Sequence, residues 1–261
     1  MERRDRGQPA GPPAGRGEVL VSGRLEQDRE AIETYDRIAD RFDEHARSSA
    51  HNAHYERPAM VALLHDVRDL RVLDAGCGSG AYSETLIEAG ARVVAVDASA
   101  RMVALTREKV GDGVPVHQHD LREPLEFLDD ESFDVVLCPL VLDYVARLTP
   151  VFAEFHRVLK PNGAFVFSMS HPFSDFGKRG TEYLQIEPVV AWFPNLETEM
   201  PSFRRPLSDI HSSLRASGFV LEDLVEPLPT EECAREHPET YKKLRSQPIF
   251  ICLRARKSSM G

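Results

Sequence analysis

Three glycines and three aspartates set the chemistry available to this chain. In 71-RVLDAGCGSGAY-82 an apolar run ends at Asp74, and Gly76, Gly78 and Gly80 then alternate with small residues. Glycine permits a tight turn and lets a ligand come close to the backbone. Two ligands fit that spacing. Gly76, Gly78 and Ala81 satisfy the dinucleotide pattern G-x-G-x-x-A, and Asp97 ends VVAVD, 21 residues after Gly76, where it could accept both hydroxyls of a ribose. Asp97 suits any other ribose-containing ligand equally well. Asp74 separates the two. An unpaired carboxylate two residues before Gly76 opposes a pyrophosphate, whereas it attracts a ligand that carries a sulfonium and an α-ammonium group at that end. Its simpler role is to cap the following turn. Asp120 closes the third strand, VHQHD, and precedes Leu121. Its carboxylate can accept from an adenine amino group while Leu121 packs on the ring; otherwise Asp120 is an N-cap for LREPLEF.

Groups able to take or hold a proton cluster at two places. His171, in FSMSHPF, directly follows the fifth strand, and the ordinary pKa of imidazole suits a general base. A histidine there can equally orient its loop. Asp143 and Tyr144 follow the fourth strand, where Asp143 could orient a base or a substrate amine, or cap a helix. His51, His54 and Tyr55, in HNAHYERP, precede a helix and could line a pocket from above. His51 and His54 stand three apart, as metal ligands can, but no third ligand is evident in the sequence. His117 and His119 share one face of a strand, where packing is the expected role. No metal is assigned.

These residues need a scaffold that brings strand ends together. Strands are expected at 71–75, 92–96, 114–118, 133–138 and 163–169, with helices near 80–90, 99–110 and 147–159. This alternation predicts a parallel sheet with helices on both faces. Two helices come first, at 27–46 and 55–67. The stretch 174–206 breaks the rhythm with Pro188, Pro194, Pro201 and Pro206 among Tyr183, Trp192, Phe193 and Phe203. It reads as an aromatic insertion over the C-terminal edge of the sheet, with Trp192 facing a substrate. A helix at 206–217, a strand at 219–226, a helical stretch near 230–245 and a last strand at 248–256 complete the chain. The domain reading is therefore a disordered tail at 1–24, a helical cap at 25–68 and an α/β domain at 69–257.

Composition narrows the partners. The net charge is −10 and the pI near 5.5, with Lys and Arg scattered among acids. A polyanion would be repelled, so a nucleic-acid substrate is not expected. Four separated cysteines form no C-x-x-C, which argues for reduced thiols in the cytoplasm rather than a disulfide or zinc framework. No apolar run approaches the roughly 18 residues of a membrane span, so no membrane association is expected. A monomer or homodimer is expected.

LDAGCGSG, VVAVDAS, HDLREPL, FDVVLCPLVLDYV and LKPNGAFVFSMSHP together resemble the successive motifs of class I S-adenosylmethionine-dependent methyltransferases, in particular their small-molecule, type 11/25-like members. The resemblance covers residues 30 to 170 closely and extends loosely through FRRPLSDI and the last strands. It implies a Rossmann-like, doubly wound, seven-stranded sheet whose antiparallel last strand lies between the fifth and sixth. It also implies S-adenosyl-L-methionine as cofactor and S-adenosyl-L-homocysteine as product. Asp74, Gly76, Cys77 and Gly78 would hold the methionine part. Asp97 and Ala98 would hold the ribose, and Met102 would flank the adenine. Asp120 and Leu121 would take the adenine edge, Pro139 would line the site beyond the fourth strand, and Tyr35 would help to close it. The loop 137-LCPL-140 lacks the Asn/Asp-Pro-Pro-Tyr donors that hold a planar base amine or amide, and no acidic set for a catechol-type metal can be assembled. The expected acceptor is a small apolar or aromatic molecule, of the kind met in natural product biosynthesis. The competing readings are an NAD(P)-dependent oxidoreductase and a cofactor-binding member that transfers no methyl group.

Overall fold

Strand formation follows from continuous apolar runs, which mark strands buried on both faces. The computed structural model describes residues 16–176 and 182–258. Its helix α1 spans Arg16–Ser48 and leads into a π-helical turn at Asn52–Glu56 and α2 at Arg57–Leu64. There follow β1 (Arg71–Ala75), α3 (Ala81–Glu88), β2 (Arg92–Asp97), α4 (Ala100–Val110), β3 (Val116–Gln118), β4 (Phe133–Pro139), α5 (Leu148–Val158), β5 (Leu159–Ser170) and α6 (Pro172–Phe176). The rest is β6 (Glu187–Phe193), β7 (Thr198–Arg204), α7 (Leu207–Ala216), β8 (Phe219–Val225), α8 (Glu231–Glu236), α9 (Pro238–Leu244) and β9 (Phe250–Lys257).

The main sheet has seven strands in the order β3-β2-β1-β4-β5-β9-β8. β9 runs antiparallel to both β5 and β8, while the other pairs are parallel. The order reverses between β1 and β4, so a crevice opens at the carboxyl ends there. One face of the sheet carries a phenylalanine-rich core. α5 supplies Leu148, Val151, Phe152, Phe155 and Val158 at helical spacing, and they meet Phe165 and Phe167 of β5. The other face packs Met60, Leu63, Leu86 and Val103 on Val72, Leu137 and Val166.

The expected insertion holds a strand pair of its own, β6 against β7, within a two-stranded sheet. Leu196 and Met200 pack there on Ala31 and Ile38 of α1, with Tyr35 and Tyr144 alongside. Its residues 177–181 lie outside the described residues, as do 1–15 of the expected tail. Residues 16–24 of that tail instead continue α1, since a helix already nucleated gains a hydrogen bond with each residue added. The single helical stretch expected near 230–245 is two helices. Pro238 forces His237 out of the helical region, to φ −134° and ψ 57°. No helix among the described residues is long and apolar enough to cross a membrane.

Phe152 is fully buried, with its ring 5.1 Å from Phe165 and 5.7 Å from Phe167. Phe152→Ala is expected to cost about 3–5 kcal/mol of stability, read as a lower urea midpoint at unchanged slope.

Candidate active site

The glycine loop is built by its own backbone and by Asp97. The amides of Gly76 and Cys77 both donate to the carbonyl of Val96, at 2.7 and 2.9 Å, which ties the loop to β2. Gly76 has φ +80°, and a Cβ there would stand 2.2 Å from Val141 Cγ2. Gly78 has φ +54°, but a Cβ there would meet nothing within 4 Å, because this part of the loop faces open space. Asp97 Oδ2 accepts the Gly78 N–H at 2.8 Å and Oδ1 accepts the Ser99 N–H at 2.9 Å. The loop opens on a cavity of about 660 Å3 at the carboxyl ends of β1, β2 and β4.

An acidic row on α1 fixes the lid of this cavity. Asp36 accepts from the Ser99 hydroxyl at 2.5 Å, Asp40 pairs with Arg101, and Asp43 accepts from Lys109 at 2.9 Å. These residues sit at helical spacing, so one face of α1 is held along the start and body of α4. The opposite edge presents Tyr35, whose hydroxyl lies 2.8 Å from that of Tyr144 and whose phenol burial pushes far up in pKa. Trp192, Phe193 and Leu196 of the insertion complete the cover.

Three carboxyl groups give the cavity its electrostatic character. Burial raises the pKa of Asp97 to about 6, against the opposing pull of the Ser99 and Gly78 amides. Burial raises Asp74 to about 7, and the nearby Asp97 adds to the rise. Its Oδ2 accepts from Ser83 at 2.6 Å, while its Oδ1 is buried with no hydrogen-bond partner. Glu56 is 1% exposed, and burial lifts it to about 7 although Ser168 and Tyr82 donate to it at 2.6 and 2.8 Å. A cation entering the cavity would therefore meet preformed acceptors whose charge costs free energy until it arrives.

Many of the residues expected from the sequence do converge. Tyr35, Gly76, Cys77, Gly78, Asp97, Ala98, Met102, Asp120, Leu121, Pro139, Asp143, Tyr144, His51 and Trp192 all line the cavity. Asp120 accepts both the amide and the guanidinium of Arg122, which lines the cavity beside it. Asp143 is buried and accepts the Ser170 N–H at 2.9 Å. His117 and His119 flank the ring of Phe127, as expected for packing.

Four expectations are corrected. Asp74 does not line the cavity: its side chain lies beneath the loop against Ser83. His171 does not face the cavity either. Its Nδ1 accepts the Phe173 N–H at 3.0 Å in the turn into α6 and its Nε2 stands 3.0 Å from Glu226, just after β8, so both nitrogens are engaged. His54 turns away toward Glu232 and Glu236. Tyr55 is fully buried with Cys233, Leu244 and Phe250, and its hydroxyl accepts the Ile249 N–H at 3.2 Å.

Three cavity residues escaped the sequence reading. Glu56 and Arg57 lie in HNAHYERP, where a charged pair before a proline reads as an exposed helix start. The signal was Tyr82 and Ser168, but those partners are distant in sequence. Arg57 spreads over the Tyr82 ring at 5.7 Å and donates to the Ala46 carbonyl at 3.3 Å, while its Nε is buried without a partner. Arg122 could have been inferred from its spacing to Asp120. Together these groups fit a zwitterionic amino acid joined to a nucleoside. Arg57 offers a donor for a carboxylate, Glu56 and Asp74 favour an ammonium or sulfonium, Gly78 leaves room, and Asp97 and Asp120 can accept from ribose and base.

Comparison with known proteins agrees with this geometry. A family model described as a methyltransferase domain matches residues 73–167. A ubiquinone biosynthesis O-methyltransferase of a Chelativorans species is 31% identical over 178 residues, 66% of this chain and 66% of that protein. An uncharacterized protein of Haemophilus influenzae is 27% identical over 222 residues, 77% of this chain and 87% of its own length. The crystal structure of an S-adenosylmethionine-dependent methyltransferase from Mesorhizobium loti superposes with a TM-score of 0.65 at 27% identity, covering 81% of this chain and 99% of that one.

The raised carboxyls predict a pH dependence. Folded Glu56 keeps its proton up to about 7, whereas its ordinary value is 4.5. The folded state thus holds an extra proton between those values, and its stability falls as pH rises through that interval. For one group moved this far the loss is about 3 kcal/mol. Urea unfolding at pH 5 to 8 is expected to show a shallower decline for Glu56→Gln than for the parent chain.

Proposed function

The chain belongs to the class I S-adenosylmethionine-dependent methyltransferases, and on that premise we propose that it methylates a small apolar or aromatic acceptor at an O, N or C atom. The observation that carries this reading is one cavity with two ends of different character. One end has the glycine loop, Arg57 and the carboxyls; the other is covered by Tyr35, Tyr144, Trp192, Phe193 and Leu196.

S-adenosylmethionine, when bound, supplies a methyl group on a positively charged sulfur that is open to in-line attack. The chain's residues would hold it at four points. Arg57 takes the carboxylate with its unpartnered Nε, and Glu56 takes the ammonium. Asp97 accepts from the ribose hydroxyls with the lone pairs left by Gly78 and Ser99, and Asp120 accepts from the adenine amino group above Leu121 and Met102. The acceptor lies under the aromatic cover, which excludes water and sets the angle of attack. Of the two histidines that line the cavity, His45 and His51, we assign the base to His51. Burial, with His45 and His237 nearby, pushes its pKa down, so at neutral pH the ring can accept a proton. Asp143 acts as a positioning residue by fixing Ser170 at the end of β5.

The relative named for O-methylation in ubiquinone biosynthesis supports an oxygen nucleophile among the three. Four buried free cysteines support a reducing, cytoplasmic setting. The acidic surface supports a small molecule rather than a nucleic acid as acceptor. A role in natural product biosynthesis, as a monomer or homodimer, completes the proposal.

Calorimetric titration with S-adenosylhomocysteine and with NADH tests the cofactor. Saturable binding of the first is expected; tight NADH with silent S-adenosylhomocysteine would overturn the reading. Asp97→Ala is expected to weaken S-adenosylhomocysteine by about 1–3 kcal/mol, from lost charge-assisted hydrogen bonds. On an acceptor panel scored by S-adenosylhomocysteine release, His51→Ala is expected to slow turnover with cofactor affinity kept. His171→Ala is expected to leave both unchanged.

A further inference from the structure

We propose that His54, Glu236 and His237 form a zinc site that clips the π-helical turn of the cap to the corner between α8 and α9. One donor atom from each of the three side chains lies within 4.8 Å of the other two. His54 Nε2 and Glu236 Oε2 already stand 3.3 Å apart. That is the edge of a tetrahedron with metal bonds of about 2.0 Å, the length zinc makes to imidazole and carboxylate. Two imidazoles and one carboxylate make a borderline donor set that suits Zn2+ better than Ca2+ or Mg2+.

The groups behind the donors are those a metal-binding histidine needs. His237 Nε2 lies 3.1 Å from the carbonyl of Ser48 and can only donate to it, which leaves the Nδ1 lone pair free. The far side of the His54 ring, Nδ1, faces a Glu232 oxygen at 3.9 Å. The carbonyl behind His237 fixes its tautomer and raises its basicity as a ligand, and Glu232 places a negative charge behind His54. The backbone also explains how neighbours in sequence can share one ion. Adjacent residues of a helix point about 100° apart, but Pro238 has already displaced His237 from the helical line. The Thr230 N–H donates to the His54 carbonyl at 2.9 Å, so α8 starts against the same turn.

The site is separate from the cofactor cavity, which His54, Glu236 and His237 do not line. Its link to that cavity is the π-helical turn, which carries His54 toward the zinc and Glu56 toward the cavity. Zinc would act as a structural tie, with no step of the methyl transfer passing through it. The fourth position is open to water.

The test is calorimetric titration of the chelator-treated full-length protein with ZnCl2, beside thermal unfolding with and without the metal. One Zn2+ per chain and a raised Tm are expected. His237→Asn and Glu236→Gln should each weaken zinc by roughly 10-fold or more and abolish the rise in Tm, with S-adenosylhomocysteine binding kept. Glu236 is exposed, so its variant tests the site even if His237→Asn fails to fold. Co2+ in place of zinc should give d–d bands without a thiolate charge-transfer band. No saturable zinc binding, equal binding by the parent and Glu236→Gln, or a thiolate band would each refute the site. The cofactor titration is independent of all three outcomes.

Discussion

The structure depends on holding negative charge in a place where water cannot solvate it. Asp74, Asp97 and Glu56 come from β1, β2 and the π-helical turn, and burial raises each of them. A carboxylate in that setting is costly until a cation arrives. The surrounding fold restrains all three rather than neutralising them. Ser83 holds Asp74, two backbone amides hold Asp97, and Tyr82 with Ser168 holds Glu56. Each partner is a neutral donor, so the field of the site survives. Arg57 is the exception, and its guanidinium lies over the Tyr82 ring rather than pairing with Glu56.

This arrangement explains why the loop needs glycine at two places for two reasons. At Gly76 a side chain would collide with Val141, which belongs to the segment after β4. At Gly78 there is space for a side chain, but that space is the one a ligand would use, and the left-handed backbone there is unfavourable for other residues. Because Gly78 donates to Asp97, the loop and this carboxylate are held together. Replacing Asp97 would therefore release the Gly78 and Ser99 amides and loosen the loop.

The sheet was legible because its strands are apolar runs with an acidic residue at the end, and that pattern has few other solutions. VVAVD and FDVVLCP can only be buried parallel strands, and their ends mark the crevice. The directions of single side chains were not legible. Asp74 is the fourth residue of β1, and strand alternation alone does not say which layer it meets; the Ser83 hydroxyl decides it. His171 follows β5, but Pro172 starts a helix at once and the ring swings to Glu226. Glu56 was hidden by the π-helical turn. One residue more per turn rotates the face that follows, so 3.6-residue periodicity places the wrong side chains inside. The break at Pro238 was readable in principle, since proline disfavours helix in the residue before it.

The two halves of the cavity differ in what builds them, and this bears on specificity. The glycine-loop half combines backbone, in the loop and the strand ends, with the side chains of Glu56, Arg57, Asp97 and Asp120. The amides of Gly76 and Cys77 bond to Val96, so this half is tied to β2. The covered half is made of side chains on α1 and the insertion, with Tyr144, which pack on one another rather than into the sheet. Tyr35 and Tyr144 meet there through an edge-to-face contact and a shared hydrogen bond. Changes in this layer alter the shape and polarity of the cover without touching the donors that hold Asp74, Asp97 and Glu56. On the proposed reading, choice of acceptor would reside in the cap and the insertion, while the sheet sets the position of the glycine loop and its carboxyl groups.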